Sequence, residues 1–383
     1  MEKISLLEEK KEKKNKNIII WRVLSIFFFI LFMTILVLYI LGVGWKENKN
    51  NDEKNNSPEK LLSLWNPNSE SREKLINYVT TITDKSNPKY IPPESRIAVF
   101  DFDGTLFCET DTVYFESLLY SYRVLNDSNY KDKACKNDIQ TAIDIMNVDI
   151  RNFTTELEMR YVTTLPKIFE NMTYEDFDKY IKNYMKIPSI GYTKMTRGEA
   201  FYDPMVQVIE YLEANDFIIY IVTGSDRHIV RTVSKSRLNI PERQIIGTIS
   251  TVAASGQVNR SNFDYEYKDN DELILGGEFK LENVKMNKVS LIKTEIGIKP
   301  ILCFGNSSGD YSMAKYITSN NKYESMAFMV CCDDLERENG SIEKAKDVKD
   351  KCEKNKNWVP ISMKMWNCGL PQPMIVMNGK CSR

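Results

Sequence analysis

Histidine is almost missing from this chain: His228 is the only one in 383 residues. That excludes a His-rich metal centre, a phosphatase built on a histidine nucleophile and its partner, and a conventional zinc hydrolase. Acid–base work must fall to carboxylates, lysine or tyrosine. Net charge is nearly absent too, with 52 Lys and Arg against 53 Asp and Glu. A nucleic-acid binder usually carries a basic face, so no nucleic-acid partner is expected. The 8 cysteines include no CxxC pair, which leaves a zinc ribbon without ligands. Cys303, Cys331 and Cys332 fall in apolar runs and read as small buried hydrophobes. Cys352, Cys368 and Cys381 lie in the tail, where oxidation would need an extracytosolic setting.

The N-terminus holds one long apolar run. Val23 to Val43 carries no charge, and at about 1.5 Å per residue it would span roughly 30 Å, the thickness of a bilayer core. Trp21 and Trp45 flank it as interfacial anchors. Lys3, Lys10, Lys11, Lys13, Lys14, Lys16 and Arg22 precede it, whereas Lys46 and Lys49 are diluted by acids. The positive-inside rule then predicts a single-pass protein with a cytoplasmic N-terminus and an extracytoplasmic domain. The expected organisation is a basic tail over 1–17, an anchor over 18–45 and a flexible tether over 46–60. A hydrolase-sized domain follows over 61–345, and residues 346–383 form a tail with no clear period.

Within the domain, apolar strand-like runs alternate with helical spacing. Ile97–Phe100, Phe217–Val222, Ile245–Val252, Leu273–Leu281, Ile301–Phe304 and Ala327–Cys332 read as strands. The intervening segments read as helices, which predicts an α/β fold with a doubly wound parallel sheet. A stretch at about 108–198 is mostly helical in pattern and would form a cap over the C-terminal edge of the first strand. Within it, Phe115, Leu118, Leu119 and Tyr122 share one face, and Thr173 is placed to cap a helix.

The chemistry concentrates just beyond the strands. After Ile97–Phe100 come Asp101, Asp103 and Gly104, two carboxylates two residues apart at a sharp turn. Such a pair suits a nucleophile, a proton donor and a divalent cation. Thr223-Gly224-Ser225 ends the next strong strand and suits a phosphate oxygen. Lys288 opens a later helix, where an ammonium could neutralise a transferring phosphoryl group; Lys285 is its competitor. Gly305-Asn306-Ser307-Ser308-Gly309-Asp310 follows another strand and offers oxygen to a hard cation. Glu109 and Asp111, just past the first motif where a cap would close on the leaving group, could attract a cationic part of the substrate such as an amine, or simply be solvated.

These four motifs, in this order, resemble those of the haloacid-dehalogenase-like hydrolases over roughly residues 93 to 335. The helical insert looks most like the phosphoserine-phosphatase-type branch. The resemblance implies Asp101 as the nucleophile that forms an aspartyl-phosphate, and Asp103 as the acid and then the base. It implies that Thr223, Gly224 and Lys288 hold the phosphate, with Glu109 near the leaving group. Asp101, Asp103, Asn306 and Asp310 would hold Mg²⁺. Asn306 stands where the family usually has an aspartate, which weakens the expected charge on the metal. The expected function is hydrolysis of a small phosphorylated substrate by a membrane-anchored, Mg²⁺-dependent phosphatase. The same site could instead transfer phosphate to an alcohol, or serve a catalytically weak binding module.

Overall fold

The computed structural model describes residues 20–34, 57–257 and 262–370, together with the short strands Val376–Met377 and Lys380–Cys381. The chain divides into two units, Met1–Ser57 and Pro58–Arg383. In the first, residues 20–34 form an exposed helix. Among the described residues no helix is long and apolar enough to cross a membrane. Residues 20–34 cover part of the anticipated span, whose remainder, 35–43, lies outside the described residues.

The second unit is built on one seven-stranded sheet. Its strands are β1 (Ile97–Phe100), β2 (Ile218–Asp226), β3 (Ile245–Ala254), β4 (Leu273–Leu281), β5 (Leu302–Gly305), β6 (Met326–Val330) and β7 (Trp358–Ile361). They lie in the order β4-β3-β2-β1-β5-β6-β7. Every neighbouring pair is parallel except β3–β4, which is antiparallel. The expected all-parallel sheet therefore carries one reversed edge strand. β1 and β5 are buried at every position, which explains why both read as unbroken apolar runs. Across the centre, Phe100 stacks on Phe304 at 4.2 Å and Phe304 on Phe328 at 5.3 Å. The strand order reverses between β1 and β5, so the crevice beyond their carboxyl ends is the place where a ligand fits.

The longer helices are α1 (Glu70–Thr83), α2 (Phe115–Leu125), α3 (Lys136–Asn147), α4 (Thr155–Val162), α5 (Tyr174–Met185), α6 (Asp203–Glu213), α7 (Arg227–Ser234), α8 (Met286–Leu291), α9 (Tyr311–Thr318) and α10 (Ile342–Glu353). Helices α2 to α5 form the insert after β1. Phe115, Leu118 and Leu119 of α2 are buried, as the sequence spacing predicts. Thr154 and Thr173 cap α4 and α5 by accepting from the N–H of Leu157 and Asp176. The insert's two linkers run side by side: Cys108 donates its N–H to Ala200, and Tyr202 donates to Leu106. Asp111 fastens them further, accepting from the Ser189 hydroxyl at 2.6 Å and the Ile190 N–H at 2.9 Å. It is therefore a hinge tie, and the substrate contact considered from its position is not what it makes here. His228 is likewise used in packing. Its ring lies 4.6 Å from that of Tyr174, joining α7 of the core to α5 of the cap.

Residues past 345, unassigned from sequence, complete the core. α10 covers β6 and β7, and β7 adds the final parallel strand. The segment then returns to the domain's start, where Asn66 donates its N–H to Met365 and Asn367 donates to Leu64. Glu338, 1 % exposed, accepts the Leu370 N–H on one carboxyl oxygen. Its other oxygen has no partner. Burial, reinforced by Asp334 and opposed by the Leu370 hydrogen bond, pushes Glu338 up to about 8. Its proton is thus held more tightly folded than unfolded. The contribution of this group to stability should be fully present below the unfolded carboxyl range and be lost as pH rises through about 8. Each tenfold difference in proton affinity contributes about 1.4 kcal/mol. Urea unfolding at pH 5 and pH 8 should show the decline in the native chain and a flatter response in Glu338→Gln. Equal slopes in the two proteins would mean that Glu338 is ionised when buried.

Candidate active site

The end of β1 places Asp101 in the crevice between β1 and β5, with its N–H donated to Phe304. The next turn needs Gly104 at φ +74, a conformation that L side chains rarely adopt. That turn brings Asp103 round beside Asp101, and the Ser225 hydroxyl donates to Asp103 Oδ2 at 2.7 Å. Ser225 lies in the Thr223-Gly224-Ser225 motif read from sequence, but its bond to Asp103 was not foreseen. Thr223 is fully buried at the end of β2, and its Oγ1 accepts the Ser225 N–H at 3.0 Å.

Lys288 is the centre of the arrangement. It enters from α8 and donates to Asp101 Oδ1 at 2.5 Å and to Asp310 Oδ1 at 2.7 Å. Lys285, the competitor, lies at the N-cap of α8 with φ +52 and is exposed to the charges of Glu158 and Glu282 instead. The approach to Lys288 is held by Asn283, which no sequence pattern singled out. Its side chain donates to the Thr223 carbonyl at 3.0 Å, while its N–H donates to Thr248 Oγ1. One asparagine thus fixes the Thr223 segment of β2 relative to the chain leading into α8.

Asp310 has both carboxylate oxygens committed. Oδ1 takes Lys288, and Oδ2 accepts the N–H groups of Asn306 and Ser307 at 3.0 and 3.2 Å. It braces Lys288 and the loop after β5, leaving little room for direct metal ligation. The Asn306 side chain is buried beside Gly104, and its amide nitrogen has no partner. Glu109 is inside as well. It forms an ion pair with Lys344 of α10, with 4 % of its side chain exposed. The sequence reading placed Glu109 near the leaving group but gave no hint of Lys344, which lies 235 residues away.

The electrostatics follow from crowding. Burial, and then Asp310, push Asp101 up to about 8 against the opposing pull of Lys288. Burial pushes Asp103 up to about 6; the Ser225 hydrogen bond opposes this and Glu109 adds to it. Burial pulls Lys288 down, but Asp101 and Asp310 outweigh it and hold the ammonium charged. Three carboxylates therefore share one cation. This surplus of negative charge, together with the oxygen donors around it, suits a hard divalent ion. Among the described residues there is no group of three His, Cys, Asp or Glu side chains able to hold a metal. The protein's ligands would therefore be Asp101, the Asp103 backbone carbonyl and the Asn306 amide, with water or substrate oxygen completing the shell.

Gly104 tests this packing. A Cβ there would fall 1.7 Å from Asn306 Nδ2 and 2.6 Å from Glu109 Cδ. Gly104→Ala should lose at least about 1–2 kcal/mol of stability from the backbone conformation alone, measured by urea unfolding. Native stability in the variant would mean that the turn re-forms without a positive φ.

Comparison with known proteins agrees with this geometry. A family model described as haloacid dehalogenase-like hydrolase matches residues 98–315. No curated protein matches the chain. Among solved structures, the chain is similar to a conserved protein of unknown function from Anaerococcus prevotii DSM 20548. That match has 16% identity, 77% of this chain and 92% of that one covered, and a TM-score of 0.48. It is also similar to cytosolic 5'-nucleotidase IIIB bound to cytidine (12% identity, 77% and 87% covered, TM-score 0.42). A phosphoserine phosphohydrolase-like protein from Francisella tularensis subsp. tularensis SCHU S4 gives 17% identity, 61% and 87% coverage and a TM-score of 0.30. The family match spans more than half of the sequence and takes in Asp101, Asp103, Thr223, Lys288 and Asn306: the chain belongs to the haloacid dehalogenase-like hydrolases.

Proposed function

We infer that the protein is a phosphomonoester hydrolase that works through an aspartyl-phosphate on Asp101 and uses Mg²⁺. The observation that carries this reading is the pairing of Asp101 with Lys288 beside an Asp103 held by Ser225. An Asp101 oxygen attacks phosphorus, and the bond from phosphorus to the leaving oxygen breaks. Asp103 gives that oxygen its proton; an acid pushed up to about 6 is suited to donating near neutrality. The resulting Asp103 carboxylate then takes a proton from water, whose oxygen attacks the acyl phosphate. Phosphate leaves and Asp101 is restored. Lys288 offsets the charge of the phosphoryl oxygens, while the Thr223 hydroxyl and the Gly224 N–H orient them. Mg²⁺, when bound, would supply the remaining positive charge that brings two anions together.

Asp101→Asn should abolish turnover of p-nitrophenyl phosphate, a loss beyond about a thousandfold, with the fold retained. A variant that keeps a tenth of native turnover would remove Asp101 as nucleophile. EDTA should stop the reaction and added Mg²⁺ should restore it; full activity in chelator would exclude the metal. Asn306→Asp adds a carboxylate and should lower the Mg²⁺ concentration for half-maximal activity. An unchanged half-saturation would place Asn306 outside the ion's surroundings.

The apolar run Val23–Val43 and the basic residues before it support a single-pass anchor with the hydrolase domain outside the cytoplasm. Protease added to intact cells should then release a fragment cut within residues 46–60. Protection of the domain until lysis would invert the orientation or dispense with the anchor.

A further inference from the structure

A cavity of about 250 Å³ is lined by none of Asp101, Asp103, Thr223, Lys288 or Asn306. Two stretches of chain enclose it. One is the linker by which the cap returns to the core, with Phe201 and Tyr202; the other follows β6 and brings Glu338, Trp366 and Cys368. The cavity therefore lies against the hinge. Phe201 packs edge-on against Phe107 at 4.9 Å, and the Glu338 carbonyl accepts the Thr110 hydroxyl.

Its wall carries side chains whose polar atoms the protein leaves unpaired. Tyr202 Oη, Glu338 Oε2 and Trp366 Nε1 have no hydrogen-bond partner. These residues are 2 %, 1 % and 3 % exposed. Eleven buried side-chain atoms are unpartnered among the described residues, and three of them belong to this one wall. The charged residues at the cavity are Lys194, Glu199, Asp203 and Glu338. The first three are exposed, so water screens them. Asp203 is paired with Arg237 at 2.9 Å, and Glu199 accepts the Thr196 N–H and hydroxyl at 2.7 and 2.8 Å. Glu338 is buried and has no such countercharge. Its neighbour Arg337 is engaged by Asp334 and by the carbonyls of Trp366 and Met363. Around Glu338 the wall is aromatic: the rings of Tyr202 and Trp366 lie 5.4 Å apart, inclined at 45°, and Phe201 adds a third. Aromatic faces attract positive charge, and a carboxylate supplies the charge that balances it. An anion would be repelled by Glu338 once that group ionises.

We propose that this cavity is a second ligand site, separate from the catalytic crevice, and that it takes a small, free organic ammonium ion with Glu338 as its countercharge. The site stands independently of the phosphatase reading, because its test reads binding and not turnover. Cys368 is the reporter: it lines the cavity and is half-buried, whereas Cys135 is exposed elsewhere. The full chain is treated with iodoacetamide at about pH 8, where Glu338 can ionise, and alkylation is followed at each cysteine by mass spectrometry. Choline or ethanolamine should slow alkylation of Cys368 severalfold and leave Cys135 unchanged. Glycerol and acetate should protect neither. Glu338→Gln keeps an oxygen for the Leu370 N–H, and it should raise the choline concentration for half-protection about tenfold or more. Equal protection by glycerol overturns the cation, and so does unaltered protection in a folded Glu338→Gln. Protection by phosphatidylcholine vesicles but not by free choline would make the guest a lipid surface and overturns the free ion. Cys368 alkylated at the same rate with and without both amines removes the site, a measurement on the native chain that decides the matter even where Glu338→Gln does not fold.

Discussion

One buried ammonium organises this active site. Lys288 lies between Asp101 and Asp310, with 3 % of its side chain exposed. Three elements meet at its Nζ: the loop after β1, the helix α8 and the loop after β5. A charge so buried is costly unless it is paired and hydrogen-bonded, and each partner here is itself fixed by backbone. Asp310 accepts two N–H groups of its own loop, so the loop cannot shift without disturbing Lys288. The position of Asp101 is therefore a consequence of a network whose members cannot move singly.

The cap and the core are joined by the same means. Glu116, at the start of α2, is buried and accepts the N–H of Asp226 at 2.5 Å. Asp226 in turn caps α7 and accepts from Ser250. Burial first, and then the nearby Asp226, raise Glu116 well above the ordinary carboxyl range. A neutral Glu116 can sit at this junction where an ionised one would repel Asp226. Together with the Asp111 tie and the Tyr174–His228 contact, these links set the cap against the edge of the sheet where the aspartates emerge.

The segment after β6 gives the site something the central sheet alone lacks. Its backbone passes the mouth of the crevice at Glu338, whose carbonyl accepts the Thr110 hydroxyl at 2.9 Å. Lys344, in the first turn of α10, then reaches Glu109, and β7 closes the sheet. The chain thus passes the crevice on its way to the edge strand that covers β6.

The sequence alone was enough to point to the hydrolase family and to most of the residues that meet in the crevice. Asp101, Asp103, Thr223, Lys288 and Asn306 stand next to apolar strands, and a parallel sheet must present the carboxyl ends of its strands on one side. Strand periodicity and glycine placement are local, so they survive in a single sequence. The choice of Lys288 over Lys285 needed the fold, because Lys285 is the residue that caps α8 while Lys288, one turn on, reaches Asp101 and Asp310. What only the tertiary structure decided depends on contacts between distant segments. Asn283 and Ser225 look like ordinary polar residues until β2, β3 and β4 align around them. Asp310 reads as a metal ligand by composition, yet its oxygens are taken by Lys288 and by backbone. Lys344 lies in a stretch of mixed charge with no period, and only the return of the chain past β6 brings it to Glu109. β4 reads as one more strand, and no local pattern states that it runs backwards. Local chemistry is written in neighbouring residues; pairing across the fold is decided by which buried charges can find each other.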